Sequence, residues 1–243
     1  MQNQTVHTVK QQDTLCSLAI HYRTTIENLL YLNPQVNPHS LITGSQIVVN
    51  SEFTNASVQC NNPKHCDKKM ALVNDMRYRW EQHVYWTRML IMSISEHLQD
   101  QTATTNKLLQ NPNDIAAIYA KFYPETVAKK ISALLTEHLQ IGAQIITAVR
   151  DGKTAQAEML QKSWAKNADD MAKAFASINP HYNYEELQKM LMAHLNMTSQ
   201  EVVAYISKDY VKSIAAFDNI EKEALEMADY FSNGIMMQFN EQF

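Results

Sequence analysis

From about residue 68 onward, apolar residues return every three or four positions and little interrupts them. Val73, Met76, Trp80, His83, Thr87, Leu90 and Ile94 share one stripe. Val127, Ile131, Leu134, His138, Ile141, Ile145 and Ala148 share a second, and Ala157, Leu160, Trp164, Ala168, Met171 and Phe175 a third. A 3.6-residue period kept up over this length specifies helices, and helices with one apolar face must bury it against each other. Four glycines and six prolines in 243 residues also leave little of the punctuation that sheets and long loops need. Residues 68–243 are therefore expected to form an all-α bundle of four long helices and two short ones.

Capping residues place the boundaries. A first long helix is expected over 68–99, and a short one over about 114–122, opened by Asn111-Pro112. Pro124 and Gly152 bracket the next, with proline at the start and glycine past the end. Another follows from Thr154 to Ser177. Asn183 opens a short helix carrying Leu187, Met190 and Leu191. Thr198-Ser-Gln-Glu201 has the form of a capping box, which would open the last long helix through Ile214, Phe217, Leu225, Ala228 and Phe231 to an end near Gly234.

The first fifty residues obey different rules. A short β-branched strand over 6–10 precedes Asp13, an expected helix N-cap, and then Leu15, Leu18, Ala19 and Tyr22 at helical spacing. Thr25 caps a second short helix with Ile26, Leu29 and Leu30, stopped by Asn33-Pro34, and a second strand covers 46–49. The order is βααβ. Residues 51–67 are polar and aperiodic and read as a linker. The expected organisation is thus an α+β module (1–50), a linker (51–67) and a helical bundle (68–243).

Within the module, His7-Thr-Val9, Asp13-Thr-Leu15, Ser17-Leu-Ala19, Tyr22, Leu29, Leu32-Asn-Pro34, Gly44 and Ile47 to Val49 follow the order and spacing of a LysM domain. The segment resembles that family. The resemblance implies binding of peptidoglycan, chitin or another N-acetylglucosamine polymer in a groove between the loop after the first strand and the loop before the second. Carried over, the glycan-binding residues are Gln12, Asp13, Thr14, Leu15, Asn33 and Pro34. Two letters depart from the family pattern. Gln12 stands where it usually has glycine, and Cys16 where it often has an aromatic residue.

Charge and motifs narrow the rest. A net charge of −4 gives no reason to expect nucleic acid or an anionic membrane as a partner. No run approaches the length of a membrane span. The opening MQNQTVHTVK has no basic stretch followed by an apolar one, so synthesis in the cytosol without a signal peptide is expected, with the protein associated with a cell wall or spore surface. Cys16, Cys60 and Cys66 are an odd number. Cys60 and Cys66 could close a disulfide, bind metal with His65, or remain free thiols.

In the bundle, His83, His138, Asp170 and Asp218 each come from a different helix near an apolar stripe, the placement that builds metal sites for iron, zinc or manganese in bundle cores. The likeness to ferritin-like and hemerythrin-like bundles is architectural only, because no Glu-x-x-His pair at i, i+3 is present. The alternative for such residues is a hydrogen-bonded polar core group. Neither a glycine-rich phosphate loop nor a GxSxG elbow occurs. The expected function is non-catalytic: a LysM module anchoring a helical bundle to a cell-wall or spore-wall glycan. The alternatives are a wall-targeted metal-binding bundle or enzyme, and a structural protein that assembles with copies of itself.

Overall fold

The computed structural model describes residues 5–10, 13–22, 24, 26–36, 41–49 and 63–243. The chain divides into two compact units, with the division between Lys69 and Met70. In the first unit, strand β1 (Thr5–Thr8) is followed by helices α1 (Leu15–His21) and α2 (Ile26–Leu32) and by strand β2 (Gln46–Val49). The strands pair antiparallel, with Thr5 opposite Val49 and Thr8 opposite Gln46. Gly44, at φ +89°, takes the left-handed turn that lets its N–H reach the Val9 carbonyl at 2.8 Å and start the second strand in register. Val9, Leu15, Leu18, Ala19, Leu29, Ile47 and Val49 form the core.

The cap of α1 differs from the expected one. Thr14 and Ser17 bond reciprocally: Ser17 N–H donates to Thr14 Oγ1 (3.0 Å) and Thr14 N–H to Ser17 Oγ (2.9 Å). Thr14 is therefore the capping residue, with serine in place of the usual Glu or Gln. Asp13, one position early, instead accepts from the Lys10 N–H and from His7 Nε2, both at 2.7 Å.

The second unit is built from α3 (Pro63–Ser95) from Met70 onward, α4 (Gln101–Leu108), α5 (Asn111–Tyr119), α6 (Glu125–Arg150), α7 (Thr154–Ile178), α8 (Tyr184–Ile206) and α9 (Tyr210–Gln238). Among the described residues, five of these helices exceed twenty residues, one more long helix than the sequence suggests. Neighbours in sequence pack as neighbours in space, α6 on α7, α7 on α8 and α8 on α9. No helix of the described residues is long and apolar enough to cross a membrane.

Three helices end in the same hydrogen-bonded turn. After α6, Gly152 (φ +68°) is left-handed, its N–H bonds to Val149 O and the Lys153 N–H to Ala148 O. The same pair of bonds closes α3 with His97 (φ +53°) and α8 with Lys208 (φ +65°) in the left-handed position. A side chain there costs about 1 kcal/mol or more relative to glycine, and it hides the stop from a reader looking for glycine.

Two expected boundaries are corrected. Helix α8 runs unbroken through Thr198 to Ile206. Glu201 is 2% exposed and ion-paired with Arg88 of α3, so the acidic member of the expected capping box is spent on a tertiary partner. Helix α9 passes through Gly234 and ends at Gln238. Gly234 is there for close approach: a Cβ on it would overlap Cε1 of Tyr182 and lie 2.6 Å from Cδ1.

The bundle core has two apolar ends. Phe231, fully buried, sits among Trp80, Tyr119, Phe175 and Tyr182, with ring centroids 4.6–6.4 Å away. Leu90, Ile91, Ile94, Leu108, Leu139, Ile146, Val202 and Tyr205 fill the other. The histidines described below lie between the ring of Trp80 and this second cluster, with His83 5.7 Å from Trp80 and the three of them lining a cavity with Leu90, Leu108 and Ile146.

Candidate glycan-binding module and a buried histidine cluster

The six residues that the sequence points to for glycan binding separate into two groups. Asn33 is 1% exposed. Its Nδ2 donates to the carbonyls of Leu29 (2.7 Å) and Val48 (2.8 Å), and its Oδ1 accepts from the Val48 N–H at 2.7 Å. It thus ties the end of α2 to β2, with both Nδ2 hydrogens in use and the side chain buried away from any sugar. Leu15, 2% exposed, belongs to the core. Asp13 is tied to His7, whose Nδ1 in turn bonds the Tyr22 hydroxyl at 2.8 Å. These hydrogen bonds to its ionised form, the His7 bond first, hold the Asp13 carboxyl below the usual carboxylate range. Thr14 and Pro34 are exposed, on the two loops that would flank the groove. Gln12 lies outside the described residues, as do the side chain of Cys16 and both Cys60 and the side chain of Cys66.

In the helical unit the four expected metal residues do not converge. His83 (α3) and His138 (α6) do meet, with ring centroids 5.7 Å apart. Asp170 pairs with Lys166 one turn away on the outer side of α7, and Asp218 is exposed on α9. Both carboxylates lie away from the apolar face, where water solvates them at no cost. In their place the structure brings His194 of α8. Its ring centroid lies 5.9 Å from that of His83 and 6.1 Å from that of His138. One ligand atom from each of the three lies within 4.8 Å of the other two. All three residues are at most 4% exposed.

Sequence reasoning missed His194 because it placed a helix start at Thr198. The signal was present: Leu187, Leu191, His194, Leu195 and Thr198 keep the helical period straight through that point.

The protonation states follow from the partners. Asn111 Nδ2 donates to the Arg79 carbonyl (2.8 Å), which turns its Oδ1 toward His83 Nδ1 at 3.0 Å. His83 therefore carries its proton on Nδ1 and has its lone pair on Nε2. His194 Nδ1 lies 3.0 Å from Glu223 Oε2 and donates to that carboxylate. His138 Nδ1 is buried beside Asn167 but makes no hydrogen bond of good geometry. Burial, reinforced by His194, pushes His83 down to about 4. Burial, then His83 and His194, drives His138 well below its usual value. At neutral pH both are uncharged imidazoles, the form that binds metal.

A pH dependence follows in the metal-free protein. The folded chain withholds from His83 a proton that the unfolded chain binds at the ordinary 6.5. The stability this confers is fully present above pH 6.5 and is lost as the pH falls toward 4, by up to about 1.4 kcal/mol per pH unit. Glu201 has the opposite sign, because burial raises it to about 7 against the pull of Arg88. Its contribution is present below 4.5 and lost as the pH rises through 7. The effect of His83 is therefore read as a difference. With a chelator present, the gap in unfolding free energy between wild type and His83→Gln, from urea titrations, shrinks as the pH is lowered from 7 to 5. A gap that stays constant contradicts the assignment.

Residues 7–50 match the family model of the LysM domain. No curated protein and no solved structure matches the chain.

Proposed function

We propose that the chain is a carbohydrate-binding protein in which residues 7–50 hold an N-acetylglucosamine-containing polymer of the peptidoglycan or chitin type, and that the helical unit is the part so anchored at a cell wall. The match of residues 7–50 to the LysM domain carries this reading. The module's hydrogen bonds support it in kind. Asp13, His7, Tyr22 and Asn33 are consumed in building the fold. Recognition then falls to exposed positions such as Thr14 and Pro34 and to backbone N–H and C=O groups, which suit acetamido and hydroxyl groups. A single small module binds weakly, and contact with successive sugars of a polymer adds to its hold.

The test is a titration of the ¹⁵N-labelled full-length chain with β-1,4-linked N-acetylglucosamine oligomers. Shifts are expected for amides around Thr14 and around Pro34, growing tighter with oligomer length, with residues 70–242 unmoved. Shifts confined to the helical unit, or none at all with a six-sugar oligomer, contradict the proposal.

A further inference from the structure

We propose that His83, His138 and His194 bind one divalent first-row transition metal ion, such as zinc or iron(II), with a fourth position left open to a water-sized ligand. This does not rest on the glycan reading. The nitrogens are already close. For three atoms no more than 4.8 Å apart, some point lies within about 2.8 Å of all of them, about 0.7 Å more than a zinc–imidazole bond. Small rotations of three side chains close that gap.

The surroundings match what such an ion needs. His83 and His194 each use Nδ1–H for an outer partner, Asn111 Oδ1 and Glu223 Oε2. Their Nε2 lone pairs are thereby left as donors, in the arrangement that orients metal-bound histidines. Glu223 also sets a carboxyl group against His194, and its Oε1 is buried without a hydrogen bond. A cation held by His194 would face that group.

Two more buried polar atoms make no hydrogen bond of good geometry, His138 Nδ1, which has Asn167 beside it, and Thr198 Oγ1. Both residues line the same cavity as His83 and His194. A ligand in the cavity relieves both. Its volume of ≈ 20 Å³ is close to what one water requires. Three protein ligands plus one small space is the layout of an open metal site and differs from a closed structural one. Imidazole nitrogens favour zinc, iron(II), cobalt or copper over magnesium and calcium, which prefer oxygen.

The test uses the full-length chain without an affinity tag, stripped with chelator and titrated with Co²⁺ alone. One equivalent is expected to bind, with visible ligand-field bands that Zn²⁺ abolishes, and the melting temperature is expected to rise. His138→Gln and His194→Gln should each weaken binding at least 100-fold. Their metal-free far-UV circular dichroism shows whether they fold. If either does not fold, Glu223→Gln keeps all three ligands and is expected to weaken binding by 10- to 100-fold. A folded wild-type chain that binds no Co²⁺ at 0.1 mM overturns the proposal. So does binding that the folded variants leave unchanged, since exposed histidines such as His97 and His181 would then be its source.

Discussion

Asn33→Ala is expected to unfold the N-terminal module and leave the helical unit folded. The Asn33 side chain makes three hydrogen bonds, all of 2.8 Å or less, at a position that is 1% exposed. Alanine leaves the Val48 N–H and the carbonyls of Leu29 and Val48 without those partners. An unmatched buried polar group costs about 1–3 kcal/mol, so the loss is expected to reach about 4 kcal/mol. The module can absorb little of this, because its core has seven buried apolar residues among the described ones and so small a domain has only a few kcal/mol in reserve. In a ¹⁵N–¹H spectrum of the full-length variant, amides of residues 5–49 should collapse toward random-coil positions while those of 70–242 stay in place. Circular dichroism should lose little helix, since among the described residues the module contributes two helices of seven residues each. Dispersed module resonances at 25 °C would contradict this role for Asn33.

Gly234→Ala is expected to destabilise the bundle by about 3 kcal/mol, although alanine is the better helix former by about 1 kcal/mol. The added methyl enters the ring of Tyr182. That ring cannot swing aside freely. It is 3% exposed, its hydroxyl donates to the Phe231 carbonyl at 2.7 Å, and it packs against Tyr230 and Phe231. Overpacking on this scale costs about 1–3 kcal/mol or more, and the lost hydrogen bond adds about 1. For a unit of this size the melting temperature falls by about 6–12 °C. A double-mutant cycle isolates the cause. In a Tyr182→Ala background the clash is gone, and Gly234→Ala should become neutral or stabilising. Equal destabilisation in both backgrounds would mean that the glycine serves some purpose other than making room for Tyr182.

These two residues also show where sequence is readable and where it is not. The βααβ order of the first fifty residues and the helices of the rest follow from apolar spacing, because burying one face is what organises both units. Asn33 was visible as a helix stop, but its side-chain bonds to a strand fifteen residues later were not, since a long-range partner leaves no local signal. Gly234 looked like a helix end because glycine often is one, whereas the Tyr182 ring, from the loop between α7 and α8, decides its use. Helix ends at His97 and Lys208 ran the other way, with a left-handed residue that is not glycine. His83 and His138 were legible as inward polar residues on apolar stripes. Asp170 and Asp218 were not separable from them by spacing alone, because a carboxylate at the edge of a stripe turns outward when water or a lysine is within reach. His194 was lost to the boundary read at Thr198, where Glu201 pairs with Arg88 of a distant helix.

The most direct measurement is co-sedimentation of the full-length chain with purified insoluble peptidoglycan, wild type beside Asn33→Ala. Wild type is expected in the pellet and to be released by soluble N-acetylglucosamine oligomers, while the variant, its helical unit intact, stays in the supernatant. Equal retention of both proteins, unaffected by the oligomers, would show that glycan binding by residues 7–50 is not what holds this chain to a wall.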